Sequence, residues 1–94
     1  MNAVSERLTP RWKERRGRLE IIEEVLFAAR EGARKTEIVY KTNLNFTQLA
    51  SYIRYLEEKG LLELSGPLFR TTSKGNEFLQ DYQKMKEVLR TEEA

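Results

Sequence analysis

Neither cysteine nor histidine occurs among the 94 residues. Without cysteine there is no disulfide framework and no thiolate metal site. Without histidine the usual general base and the usual zinc ligand are both missing. Long apolar runs are missing as well. None approaches the ~20 residues of a membrane-spanning helix, and the start MNAVSERLTP lacks the apolar stretch of a signal peptide. The expectation is a soluble, cytoplasmic protein with no metal, no cofactor and no membrane attachment. Paired acid–base catalysis is not set up either. Glu57 and Glu58 are adjacent, so on a helix they diverge, and no glycine-rich phosphate loop is present. The chain reads as non-enzymatic.

Charge of one sign is also scarce overall, the net being +2. Its distribution is uneven. Within the first eighteen residues Arg7, Arg11, Lys13, Arg15, Arg16 and Arg18 stand against Glu6 and Glu14, which leaves the remainder slightly acidic. A basic arm on a near-neutral domain is a footprint of anionic partners, and equally a common form of solvated terminus. Residues 1–15 are read as this arm, 16–75 as one small domain and 76–94 as a C-terminal helix. A chain this short supports one modest core.

Periodicity sets the order of elements. Leu19, Ile22, Leu26 and Ala29 recur at helical spacing, widened by Ile21, Val25 and Ala28, which predicts helix 1 over roughly residues 16–31 with Gly32 as its stop. Phe27 falls among the charged positions without a local reason. KTEIVYKTN predicts a short helix 2 with Ile38 and Val39 inward. Thr42–Leu44 is then a tight connection in which Asn43 tolerates a left-handed backbone. Asn45 is a good N-cap for helix 3, with Gln48 placed to reach back to it. Phe46, Leu49, Ala50, Ile53 and Leu56 form the expected buried stripe of helix 3, and Gly60 ends it. LLEL and LFRT flank a turn at Gly66 and Pro67, a short hairpin. Thr72 caps helix 4.

Two helices joined by so short a turn form a helix-turn-helix, and the hairpin after them makes a wing. The expected fold is mainly α: three helices, a short β-hairpin wing and a C-terminal helix. Opposite its apolar stripe, helix 3 carries Thr47, Gln48, Ser51, Tyr55 and Glu58, with Arg54 on one flank. Asn45, Thr47, Gln48, Ser51, Arg54 and Tyr55 are the candidate groove-reading set. Gln48 suits adenine, Thr47 and Ser51 suit bases or phosphates, and Arg54 suits guanine or a phosphate. Any solvated helix face is polar, however, and winged helices also serve as protein-interaction modules. In that second reading Tyr52, Tyr55 and Phe27 would form an aromatic docking surface. Salt dependence separates the two.

The segment from Gly17 to Leu64, followed by FRTTSKGNEFL, resembles the archaeal winged-helix DNA-binding family that includes the ten-kilodalton chromatin-associated proteins. The likeness rests on KTEIVYKTNLN, with Lys35, Thr36, Ile38, Tyr40, Leu44 and Asn45 on the family's pattern, on YIRYLEEKGLL, and on Thr72, Lys74 and Gly75 after the wing. It implies double-stranded DNA binding through helix 3 and the wing, and the chain is expected to be a transcriptional regulator or chromatin-associated factor of the nucleoid. It also implies a homodimer held by helix 4 as an antiparallel coiled coil. The chromatin-type members carry a longer coiled coil than this chain.

Backbone contacts are expected from Arg11, Lys13, Arg15, Arg16 and Arg18, from Lys35, Thr36 and Lys41 of helix 2, and least from Arg70, the only basic residue in the hairpin. Basic residues at the start of helix 1 oppose its dipole, so local helix stability does not explain them, whereas a phosphate backbone does. Trp12 can pack on the domain or against sugar and base. In helix 4, Phe78, Tyr82, Met85 and Leu89 follow 4-3-4 spacing, the seam of a coiled coil. Tyr82, Met85 and Leu89 are the expected dimer contacts. The alternative is that this seam folds back onto Ile21, Val25 and Ala28 of the same chain.

Overall fold

The computed structural model describes residues 16–93. Its elements run α1 (Arg18–Ala28), α2 (Lys35–Thr42), α3 (Phe46–Glu58), β1 (Leu62–Ser65), β2 (Leu68–Thr71) and α4 (Ser73–Glu93). This is a winged helix, in the order the sequence predicts. The core draws on every helix and on β1, with Ile22, Val25, Leu26 and Ala29 before the first turn, Ile38 on α2, Leu49, Ile53 and Leu56 on α3, Leu62 on β1 and Leu79 on α4, while β2 adds the partly buried Phe69.

The helix ends are settled by local chemistry. In each of the first three helices the third residue reaches back to the N–H just before the helix. Gly17 N–H donates to Glu20 at 3.0 Å, Arg34 N–H to Glu37 at 2.8 Å and Asn45 N–H to Gln48 at 3.1 Å. Only at α3 is the bond reciprocal, Gln48 N–H donating to Asn45 Oδ1 at 2.7 Å. Asn43 sits at φ 60°, ψ 29°, the left-handed geometry that ends α2 and frees the chain to reach the N-cap of α3 two residues later. At the other end of α3, Gly60 has φ 76°. Gly60 N–H donates to the Glu57 carbonyl at 3.0 Å and Leu61 N–H to the Leu56 carbonyl at 2.9 Å, a Schellman closure.

The wing is a two-residue hairpin with Leu62 opposite Thr71 and Ser65 opposite Leu68. Gly66, at φ 63°, and Pro67, whose ring imposes a negative φ, give the signs of a type II′ turn, which matches strand twist. The wing is also pinned to the end of α1 and to the connection that follows it. Ala33 and Phe69 exchange backbone bonds of 2.9 and 2.8 Å, and Thr71 N–H donates to the Ala29 carbonyl at 3.0 Å. The buried Thr71 hydroxyl donates to the Leu26 carbonyl at 2.6 Å, satisfying an acceptor that helix termination leaves open.

Three expectations change. Helix 1 is shorter at both ends than residues 16–31. Leu19 and Phe46, expected in buried stripes, are 51% and 52% exposed. Both occupy first turns, and periodicity marks a helix face without saying how far along it the core extends. Finally, helix 4 both folds back and projects. Leu79 is buried, Tyr82 is half-buried and stacked on Phe78 at 5.8 Å, and Lys86 reaches Glu23 of α1 at 2.9 Å. Met85, Val88 and Leu89 stay more than half exposed.

Candidate nucleic-acid interface

The α3 stripe of Leu49, Ile53 and Leu56 fixes which way the rest of that helix faces. At about 100° per residue, Thr47, Ser51 and Glu58 lie opposite the stripe. Gln48, Tyr55 and Lys59 fall on one flank, and Arg54 and Glu57 on the other. Asn45, Thr47, Gln48, Ser51, Arg54 and Tyr55 are all exposed. Two of them already hold each other: Asn45 Oδ1 accepts from Gln48 N–H, and one lone pair of Gln48 Oε1 accepts from Asn45 N–H. Gln48, which reaches back to the cap as its spacing predicts, therefore offers its amide N–H groups and one remaining lone pair. Thr47 and Ser51 keep freely rotating hydroxyls.

The two flanks meet different neighbours. On one side Arg54, with Lys35 at the start of α2 and Leu64 and Phe69 of the wing, lines an open groove of about 300 Å³. On the other side the ring of Tyr55 lies beneath two cations. The Arg18 guanidinium carbon is 5.2 Å from its centroid and Lys59 Nζ is 5.6 Å away. Arg18 comes from the first turn of α1, so the start of one helix and the end of another converge on this ring. Lys59 was not singled out from the sequence. Its place beside Gly60 reads simply as a cation near a helix C-terminus, which the dipole favours.

The other candidate residues scatter. Arg16 bridges Glu24, and its guanidinium donates to the Thr42 carbonyl at 2.7 Å, tying α1 to the end of α2. Arg16 thus has a structural role that the sequence reading did not consider, a long-range one that links Glu24 of α1 to the C-terminal end of α2. Thr36 is exposed on α2. Lys41 lines a separate groove with Glu23, Glu24, Phe27 and Gln83. Arg70 stands opposite Glu63 in the hairpin, and its guanidinium packs close over Gly32. Arg11, Lys13, Arg15 and Trp12 lie outside the described residues. Phe27, puzzling in sequence, is 59% exposed beneath the Arg30 guanidinium, 4.9 Å from its centroid. Tyr40 is 87% exposed, and nothing in the structure explains it.

Among the described residues no group of acidic side chains is placed to hold a metal ion, and no helix is long and apolar enough to cross a membrane.

The model of the winged helix-turn-helix family matches residues 15–90. Among solved structures, the chain is similar to Sso10a-2, a DNA-binding protein from Sulfolobus solfataricus. The two share 22% sequence identity over 83% of this chain and 90% of that one, with a TM-score of 0.66. No curated protein matches.

Proposed function

Because the chain belongs to the winged helix-turn-helix family, we propose that it binds double-stranded DNA, as a transcriptional regulator or nucleoid-associated factor rather than as an enzyme. One observation carries the reading. The polar face of α3 is held out by doubly bonded caps, with cations on both of its flanks and its own side chains free to meet a groove. In this geometry the second helix of the motif enters the major groove and its N-terminal residues approach base edges. Thr47, Ser51 and the free donors of Gln48 then face the bases, while Arg54 and Lys35 face phosphates. The similarity to Sso10a-2, named as a DNA-binding protein, supports the same reading.

A protein-docking role is less well supported. Tyr55 lies under Arg18, while Phe27 stands nine residues further along α1, about 13 Å by helical rise. Tyr52 is half-buried against the core, so the aromatics that would make one docking surface are spread over two helices and one of them is largely committed to the fold.

The experiment is affinity for a random-sequence duplex, read by fluorescence anisotropy at several salt concentrations. Binding that weakens steeply with salt is expected, with the logarithm of affinity falling about 0.9 per phosphate neutralised. No binding at low salt removes the DNA reading.

The functional unit is proposed to be a homodimer through α4. Met85 and Leu89, with Tyr82 at their edge, leave an apolar strip beyond the part of α4 that packs on α1. Paired strips of this kind bury what a single chain exposes. Met85→Glu with Leu89→Glu should turn a dimeric mass, read by light scattering, into a monomeric one. A mass unchanged by both substitutions sinks the dimer.

A further inference from the structure

A helix lying in the major groove has a sugar–phosphate backbone on each side of it. On the flank of α3 nearer the wing, Arg54 and Lys35 stand ready for one strand. The opposite flank has no wing, and there the ring of Tyr55 gathers Arg18 and Lys59 within 5.2 and 5.6 Å of its centroid. We propose that Arg18 and Lys59, held by the Tyr55 ring, together clasp one backbone phosphate of the strand on the α1 side of the groove. The inference rests on the DNA reading above and adds to it a second strand and a specific anion site.

Three observations carry it. First, two like charges share one ring, yet no carboxylate among the described residues pairs with either. Only the ring answers these two positive charges within the described residues, so an anion beside it would meet two cations with no carboxylate competing for them. Second, the two heads complement each other. A guanidinium presents a planar fork that matches two phosphate oxygens, an ammonium is a compact charge, and the exposed phenol of Tyr55 can donate a further hydrogen bond. Third, the ordinary explanation covers only half of the arrangement. Lys59 and Lys74 both suit the C-terminal end of α3, and Lys74 Nζ donates to the Lys59 carbonyl at 2.9 Å. Arg18 has no such excuse. It lies in the first turn of α1, where the helix dipole disfavours a cation, and its guanidinium turns across to α3.

The test compares salt dependences on one random-sequence duplex. Wild-type protein, Arg18→Ala, Lys59→Ala and the double variant are titrated, with Arg30→Ala, just past the far end of α1, as the control cation. A shared phosphate predicts a specific pattern. The double variant binds more weakly at every salt concentration, and its slope is shallower by about 0.9, the equivalent of one phosphate. Arg30→Ala leaves the slope alone. If the wild type binds and the double variant keeps its slope, the clasp is wrong while the DNA reading stands. A slope shallower by about 1.8 also overturns the clasp, because it means two separate phosphates. A wild type that does not bind at all removes both. All these side chains are exposed, so thermal melts of the variants should match wild type and exclude misfolding as the cause.

Discussion

Gly75→Ala is expected to destabilise this domain by at least about 3 kcal/mol and to lower its Tm by roughly 12 °C or more. Gly75 lies in the first turn of α4, where alanine is ordinarily the better residue. Here a Cβ would stand 2.3 Å from the Leu61 carbonyl oxygen and 2.5 Å from the Thr71 methyl carbon. Neither neighbour can yield. Leu61 N–H is the last bond of the α3 closure, its carbonyl accepts from Thr72 N–H at 3.0 Å, and Thr71 is the residue that ties the wing to α1. Relieving the clash means moving α4 away from the joint between α3 and the wing. That penalty is a large fraction of the ~5–15 kcal/mol that holds a small domain together. Gly17→Ala is the matched comparison, since a Cβ there meets nothing within 4 Å. It should change stability by less than about 1 kcal/mol. Thermal melts of the two variants decide the matter, and similar Tm values for both would show the close approach at Gly75 to be unimportant.

Thr47→Glu combined with Ser51→Glu is expected to weaken duplex binding about a hundredfold while leaving the melt unchanged. Both residues are exposed and lie opposite the buried stripe, so the fold has no stake in them. In a groove they would bring two carboxylates toward two rows of phosphates and remove two hydroxyl donors. Loss of two hydrogen bonds at ~1 kcal/mol each, with repulsion of order 1 kcal/mol, gives roughly 3 kcal/mol, or two decades of affinity. Anisotropy titration at fixed salt reads the change directly. Wild-type affinity in this variant, with DNA binding intact, would mean that α3 is not the element in the groove.

Much of the architecture was legible because its signals are local. Asn43 announces a left-handed backbone by its side chain, Asn45 and Gln48 make a capping box at fixed spacing, and Gly60 and Gly66 mark positive φ where the chain must reverse. Nothing local could reveal Arg16 on the Thr42 carbonyl, twenty-six positions away. The Ala33–Phe69 bridge is equally hidden, since one residue pair has no period to detect. The candidate interface divides the same way. Periodicity placed Tyr55 on the outer side of α3, but only the folded chain brings Arg18 over its ring. The burial errors at Leu19 and Phe46 have one cause: apolar character in a first turn cannot report whether a neighbouring element reaches that far.

The joint between the wing and α1 has a mechanical consequence. Ordinarily a hairpin hung from a domain by its two ends is a soft appendage that bends at its roots. In this chain the strand that returns from the tip is spliced into the end of α1 by the Thr71 N–H and hydroxyl, and into the connection between α1 and α2 by the backbone bonds of Phe69 with Ala33. A load applied at Gly66 is therefore passed through these bonds toward Leu26 and Ala29, which lie in the core. The hairpin behaves as a strut. Whatever touches its tip pushes on the whole domain, so its alignment with α3 is set by the stiffness of the core rather than by the turn.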